Sequence, residues 1–165
     1  VNLQDSTLAV GSSFSNTGDN LTLSGTGLKL LSDISLSSNS AVTFDSYQPN
    51  DFNLVLSDNS TGNISLGTIT LGSENIEVLG GTLSLAGGSV GANGLIEVGE
   101  QGNLSLQGNL AVAGTLDLND GASVNFANNL IDASGGRLEL AGSHVLDGIT
   151  TVSYTPLTLP TTYSL

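Results

Sequence analysis

Four carboxylates, Glu77, Glu97, Asp117 and Glu139, recur about once every 20 residues. Each sits between two aliphatic residues: Ile76-Glu77-Val78, Ile96-Glu97-Val98, Leu116-Asp117-Leu118 and Leu138-Glu139-Leu140. If each triplet is a strand, its aliphatic residues point one way and its acid the other. Strands stacked at the ordinary spacing of about 4.8 Å bring neighbouring acids close enough to repel by roughly 0.9 kcal/mol in water. Rows of oxygen ligands suit Ca²⁺, so the strip is a candidate cation-binding line. The plainer reading, which is favoured, is a solvated face that deters side-to-side association. The chain lacks the Gly-Gly-x-Gly-x-Asp repeat of calcium-binding rolls, and Gly87-Gly88-Ser89-Val90-Gly91 comes nearest without an aspartate. Beyond Ca²⁺ no cofactor is expected.

A second candidate is the stretch from Asp45 to Asn53, which interrupts the repeat and concentrates aromatics and acids. Insertions on repeat proteins map to loops that often carry the binding surface. Tyr47 would stack on a sugar, with Asp45 and Asp51 accepting its hydroxyl protons and Asp58 alongside on the corner Ser57–Gly62. The competing and favoured reading gives Tyr47 and Phe52 to the core, refilling it where a strand is missing.

Catalysis is not expected. The two basic residues, Lys29 and Arg137, are 108 positions apart, about 25 Å along a stacked-strand axis. There is no cysteine, and the single histidine, His144, reads as a surface residue. A general acid and base need hydrogen-bond reach of one substrate. The hydroxyl row Thr22, Thr43, Ser65, Ser84, Ser105, Asn125 suggests ice binding, but its neighbour row Asn20, Ala41, Asn63, Thr82, Asn103, Ser123 is too mixed to favour it.

The elements that must position these residues follow from the same period. One column of apolar-polar-apolar triplets runs Leu21-Thr22-Leu23, Val42-Thr43-Phe44, Ile64-Ser65-Leu66, Leu83-Ser84-Leu85, Leu104-Ser105-Leu106 and Val124-Asn125-Phe126. A second holds the acidic triplets, preceded by Ile34-Ser35-Leu36 and Leu54-Val55-Leu56. A weaker third holds Leu8-Ala9-Val10, Leu28-Lys29-Leu30, Ile69-Thr70-Leu71 and Leu110-Ala111-Val112, followed by Leu130 and failing near Tyr47–Asn50 and Ser89–Gly91. A fixed period of this length is the signature of a solenoid. The pattern predicts an all-β, single-stranded, right-handed parallel β-helix of about seven triangular coils, each of roughly 20 residues. Glycines such as Gly67, Gly80, Gly102 and Gly114 fall between triplets, where turns need positive φ. Asparagines such as Asn75, Asn103, Asn109 and Asn119 are expected to serve likewise. The solenoid is assigned to residues 1–146 and a C-terminal tail to 147–165.

Fifteen acidic residues against two basic ones give a net charge of −13, which argues against nucleic acid and anionic membranes as partners. No apolar run approaches a membrane span. With no initiating methionine and no apolar leader, the chain reads as a segment of a longer solenoid.

The run Gly81–Asn129, with its Gly81-Thr82-Leu83-Ser84-Leu85 and Gly114-Thr115-Leu116-Asp117-Leu118 steps, resembles the β-solenoid stalks of bacterial autotransporter passengers and filamentous-haemagglutinin-like adhesins. The resemblance covers about Leu8 to Leu146. It implies a non-catalytic structural or adhesive segment, extracellular or on the bacterial cell surface, that acts as a rigid spacer presenting loops to a glycan or to a host or biofilm surface. The alternatives are a fragment of a polysaccharide-active β-helix enzyme and an ice-binding solenoid. The final stretch from Val152 to Leu165 resembles a translated sequencing-adapter artefact of metagenomic reading frames. The other reading is a capping segment whose prolines blunt the last strand edge.

Overall fold

The computed structural model describes residues 7–142 and 152–154. Among the described residues seventeen strands join a single sheet, and every ladder in it is parallel. No helix occurs among the described residues, so none is long and apolar enough to cross a membrane. Each strand pairs with the one about 20 residues later, which is the β-solenoid the period predicts. The chain makes about six turns. The expected seven counted through Leu146, and residues 143–150 lie outside the described residues.

Three faces recur in a fixed order. Face 1 stacks Leu21 on Val42, Val42 on Ile64, Ile64 on Leu83, Leu83 on Leu104 and Leu104 on Val124. Face 2 stacks Ile34, Leu54, Ile76, Ile96, Leu116 and Leu138 in the same way. Face 3 begins with Leu8 on Leu28. The interior is aliphatic because alternate positions of every triplet point inward: Leu54, Leu56, Ile76, Val78, Ile96 and Val98 are all 0% exposed.

Face 3 is filled where the pattern predicted failure. Tyr47 takes the place of Leu28 one coil on, and its ring is 5% exposed. Val90 stacks between Leu71 and Val112. Leu110 is followed by Ile131 and not by the expected Leu130. The cause is a tight turn in which Asn129 N donates to Phe126 O at 2.8 Å. Its two central residues, Ala127 and Asn128, have φ of 47° and 63°, a mirror-image turn that adds one residue and shifts the register. Within the tail, Val152–Tyr154 pairs in parallel with Ile131–Ala133.

The corner residues act differently from expectation. Gly67 and Gly81 do have positive φ, but Gly102 does not. A Cβ there would run into the Val78 carbonyl oxygen of the preceding coil. Glycine at that corner is required by the closeness of one coil to the next. The asparagines Asn75, Asn103, Asn109 and Asn119 also lack positive φ. They bridge coils instead: Asn103 Nδ2 donates to Gly81 O at 3.2 Å, and Asn109 Oδ1 accepts from Leu130 N at 2.9 Å. Buried serines do the same at the corner from face 2 to face 1. There Ser60 Oγ donates to Ser38 O at 2.9 Å and accepts from Ser38 N at 3.2 Å.

Candidate functional site

The solenoid order decides which candidates meet. Asp45 lies on the corner from face 1 to face 3, Asp51 on the corner from face 3 to face 2, and Asp58 on the corner from face 2 to face 1. All three are exposed, on three different edges of one coil. They do not converge. Tyr47, proposed to stack on a sugar, is buried and offers no open ring face. Among the described residues its hydroxyl has no hydrogen-bond partner, and burial, aided by the charge of Glu74, pushes its ionisation upward. Phe52 packs partly buried against the core, so both aromatics take the core role.

The acidic residues, in contrast, stack in register: Glu77 on Glu97, Glu97 on Asp117, Asp117 on Glu139. Partial burial raises the ionisation of Asp117, and the charges of Glu139 and Glu97 raise it further against the opposing effect of Arg137. Arg137 forms an ion pair with Glu139, and Asn119 Nδ2 donates to Glu97 Oε1 at 2.9 Å. Among the described residues no three acidic or histidine side chains are grouped as a metal cage.

The ladder has a testable consequence. A carboxyl raised in the folded state favours folding most when protonated, and that contribution is lost as pH rises through the raised value. Asp117→Asn is therefore expected to match the parent near pH 3 and to exceed it by about 1 kcal/mol at pH 7 and low salt. Urea denaturation at the two pH values checks this, and equal midpoints at pH 7 would remove the repulsive ladder.

Lys29 stacks between Ala9 and Gln48 on face 3, whereas Arg137 stands beside Thr115 on face 2 near the far end. The two cations lie on different faces. His144 lies outside the described residues.

What the sequence reading missed is a shallow trough on face 2 that runs up to the first acid of the ladder, mixed apolar and polar in its first hollow and mainly polar in its second. One hollow of about 350 Å³ is lined by Asp33, Ser35, Asn53, Val55, Asn75 and Glu77 over Ile34 and Leu54. A second, of about 290 Å³, is lined by Ser13, Ser15, Ser35, Ser37 and Ser57 with Phe14. Ser35 belongs to both, so they adjoin. The hollows exist because serine ends one oxygen beyond Cβ, leaving the sheet low between taller flanks. The walls are fixed by the coil repeat: Asp33 Oδ1 accepts from Asn53 N at 2.7 Å, and Asn53 Oδ1 accepts from Asn75 N at 2.8 Å. The signal was present as steps of about 20 residues at 13 and 35, at 15, 37 and 57, and at 33, 53 and 75.

Hydroxyl, amide and carboxylate groups on one rigid wall can exchange hydrogen bonds with a polyhydroxylated ligand. Asp33 and Glu77 at the rim, on a chain of net charge −13, oppose an anionic one. Comparison with known proteins returned no matching family model, no matching curated protein and no matching solved structure.

Proposed function

We propose that this chain is a non-catalytic structural and adhesive segment of a bacterial surface or secreted protein, a stiff spacer that offers its face 2 trough to a neutral glycan. The observation that carries the reading is the adjoining pair of hollows lined by serines, asparagines and two carboxylates on a face held by continuous hydrogen-bond ladders. A preformed wall loses little freedom on binding. The autotransporter-like Gly-Thr-Leu-x-Leu steps support the surface location, and the dispersed cations favour a binding role over a lytic one.

The experiment uses an immobilised panel of neutral glucans, mannans and chitin-type oligosaccharides. Ser35→Tyr fills both hollows from a strand position that tolerates aromatics, and Ser105→Tyr on face 1 serves as control. Retention on at least one glycan should fall by tenfold or more in the first variant and stay unchanged in the second. No retention by the parent chain, or full retention by Ser35→Tyr, would sink the reading, and specific turnover of any glycan would replace it with an enzyme.

A further inference from the structure

Each hollow on face 2 is a furrow between two rows of outward side chains, and the pairing of coils fixes its direction. Val55 stacks on Ser35 and Glu77 on Val55, which makes one wall of the larger hollow. The other wall is Asp33, Asn53 and Asn75, tied coil to coil through side-chain oxygens. The smaller hollow lies between Ser13 and Ser35 on one side and Ser15, Ser37 and Ser57 on the other. Rows of stacked residues run along the solenoid axis, so both furrows do too, with Ser35 as the low sill between them. Together they cross coils set about 4.8 Å apart. The ladder of the first wall occupies one oxygen each of Asp33 and Asn53. Asn53 Nδ2 and the second carboxylate oxygen of Asp33 have no partner among the described residues, which leaves them for a ligand. The opposite wall changes character at its centre. In the outward row Ser35, Val55, Glu77, Glu97, Asp117, Glu139, Val55 is the sole aliphatic residue. Its half-exposed methyl groups gain from cover by C–H surface, while the serine and carboxylate beside it exchange hydrogen bonds.

We propose that the trough takes an extended, equatorially 1,4-linked neutral polysaccharide (the β-glucan, β-mannan or chitin type), lying parallel to the solenoid axis with about one sugar ring per coil. The inference rests on the glycan reading above and adds linkage and direction to it. Equatorial bonds at C1 and C4 carry such a chain almost straight, and each ring advances it by close to one strand spacing. Successive rings therefore meet successive coils in the same relation. Hydroxyls at the ring edge face Asp33, Asn53 and Asn75, while a C–H face lies on Val55. In an α-1,4-linked chain the axial bond turns each ring against the last, so the chain curves out of the furrow after one or two rings. Asp33 and Glu77 repel a chain of uronic acids.

The test titrates the full chain with linkage isomers: β-1,4-linked gluco-, manno- and N-acetylglucosamine oligosaccharides of increasing length, against the α-1,4-linked gluco-series. Affinity for at least one β series should rise roughly threefold or more with each added ring, up to about four rings, and then level. The α series should gain nothing beyond the disaccharide. Asn75→Tyr closes the last coil of the larger furrow from a strand position that tolerates aromatics. It should lower the plateau by about one ring and leave the disaccharide unchanged. Amide shifts on binding a β-linked tetrasaccharide should appear in line at Ser35, Val55 and Glu77, and not at Ser105 on face 1. If Asn75→Tyr does not fold, the length series and the shifts of the parent chain still decide. A β series without length dependence, an α series that climbs equally, an unchanged plateau in Asn75→Tyr, or shifts confined to one coil would overturn the axial ribbon and leave the glycan reading standing. No binding of any oligosaccharide would also overturn the ribbon, and retention on the immobilised panel then decides separately whether the glycan reading falls with it.

Discussion

Gly102→Ala is expected to destabilise the solenoid by about 3 kcal/mol, while Gly135→Ala stays within about 0.5 kcal/mol of the parent. Gly102 lies at the corner within the strand Leu95–Leu106 and Gly135 in the turn before Arg137–Leu140; neither has positive φ, so backbone freedom does not distinguish them. Gly102 stacks directly on Gly81 of the preceding coil. A methyl group there would overlap the Val78 carbonyl oxygen and also lie 3.1 Å from Val98 Cγ1. The obstacle is backbone already engaged in the parallel ladder, which cannot swing aside like the end of a flexible side chain. Relief requires lifting one coil from the next, which strains hydrogen bonds on both flanking faces. At Gly135 the nearest atoms to an added methyl are Ala113 Cα and Cβ, each at 3.7 Å, which is ordinary contact. Chemical denaturation of the two variants, compared at equal slope, checks the pair. Equal midpoints would mean that coil spacing is not what demands glycine at this corner.

The contrast shows what the chain makes legible and what it hides. Alternation of aliphatic and polar residues over a fixed period has one geometric solution, so faces 1 and 2 could be written in register from the sequence. Tyr47 and Val90 were harder, because an aromatic and a lone valine beside glycines do not announce a strand, yet the stack of neighbours on both sides places them inside. Leu130 was misplaced because one left-handed pair, Ala127 and Asn128, inserts a residue that no hydrophobic pattern records. Residue type alone does not separate the two uses of a corner glycine, positive φ and close approach, since both exclude a Cβ.

The candidate site was less legible for a related reason. Asp45, Asp51 and Asp58 are close in sequence, but one coil carries them round three edges of a prism. Proximity in space runs along the axis, between residues about one period apart. Ser15, Ser37 and Ser57 obey that rule and meet in the trough, as do the four acids of the ladder. Small polar residues attract little notice individually, and a hollow depends on the height of neighbouring side chains, which composition does not give.

Leu83→Ala in the middle of the rod is expected to cost 2–5 kcal/mol, against about 1 kcal/mol for Leu8→Ala in the first described coil. Leu83 is 0% exposed and stacked between Ile64 and Leu104. Truncating it leaves a void whose walls belong to ladders on both sides and cannot collapse inward. Leu8 is only half-buried, so less apolar surface is at stake and water can fill the space. Because each coil touches only its neighbours, stability is a sum of coil and interface contributions, and a central defect weakens two interfaces at once. The Leu83→Ala transition in urea should therefore broaden as well as shift, with a lower slope as the two halves lose their coupling. The Leu8→Ala transition should keep the parent slope, since fraying at one end leaves the remaining stack continuous. Equal costs at the two positions, with slopes unchanged in both, would show that the core does not act as one continuous column.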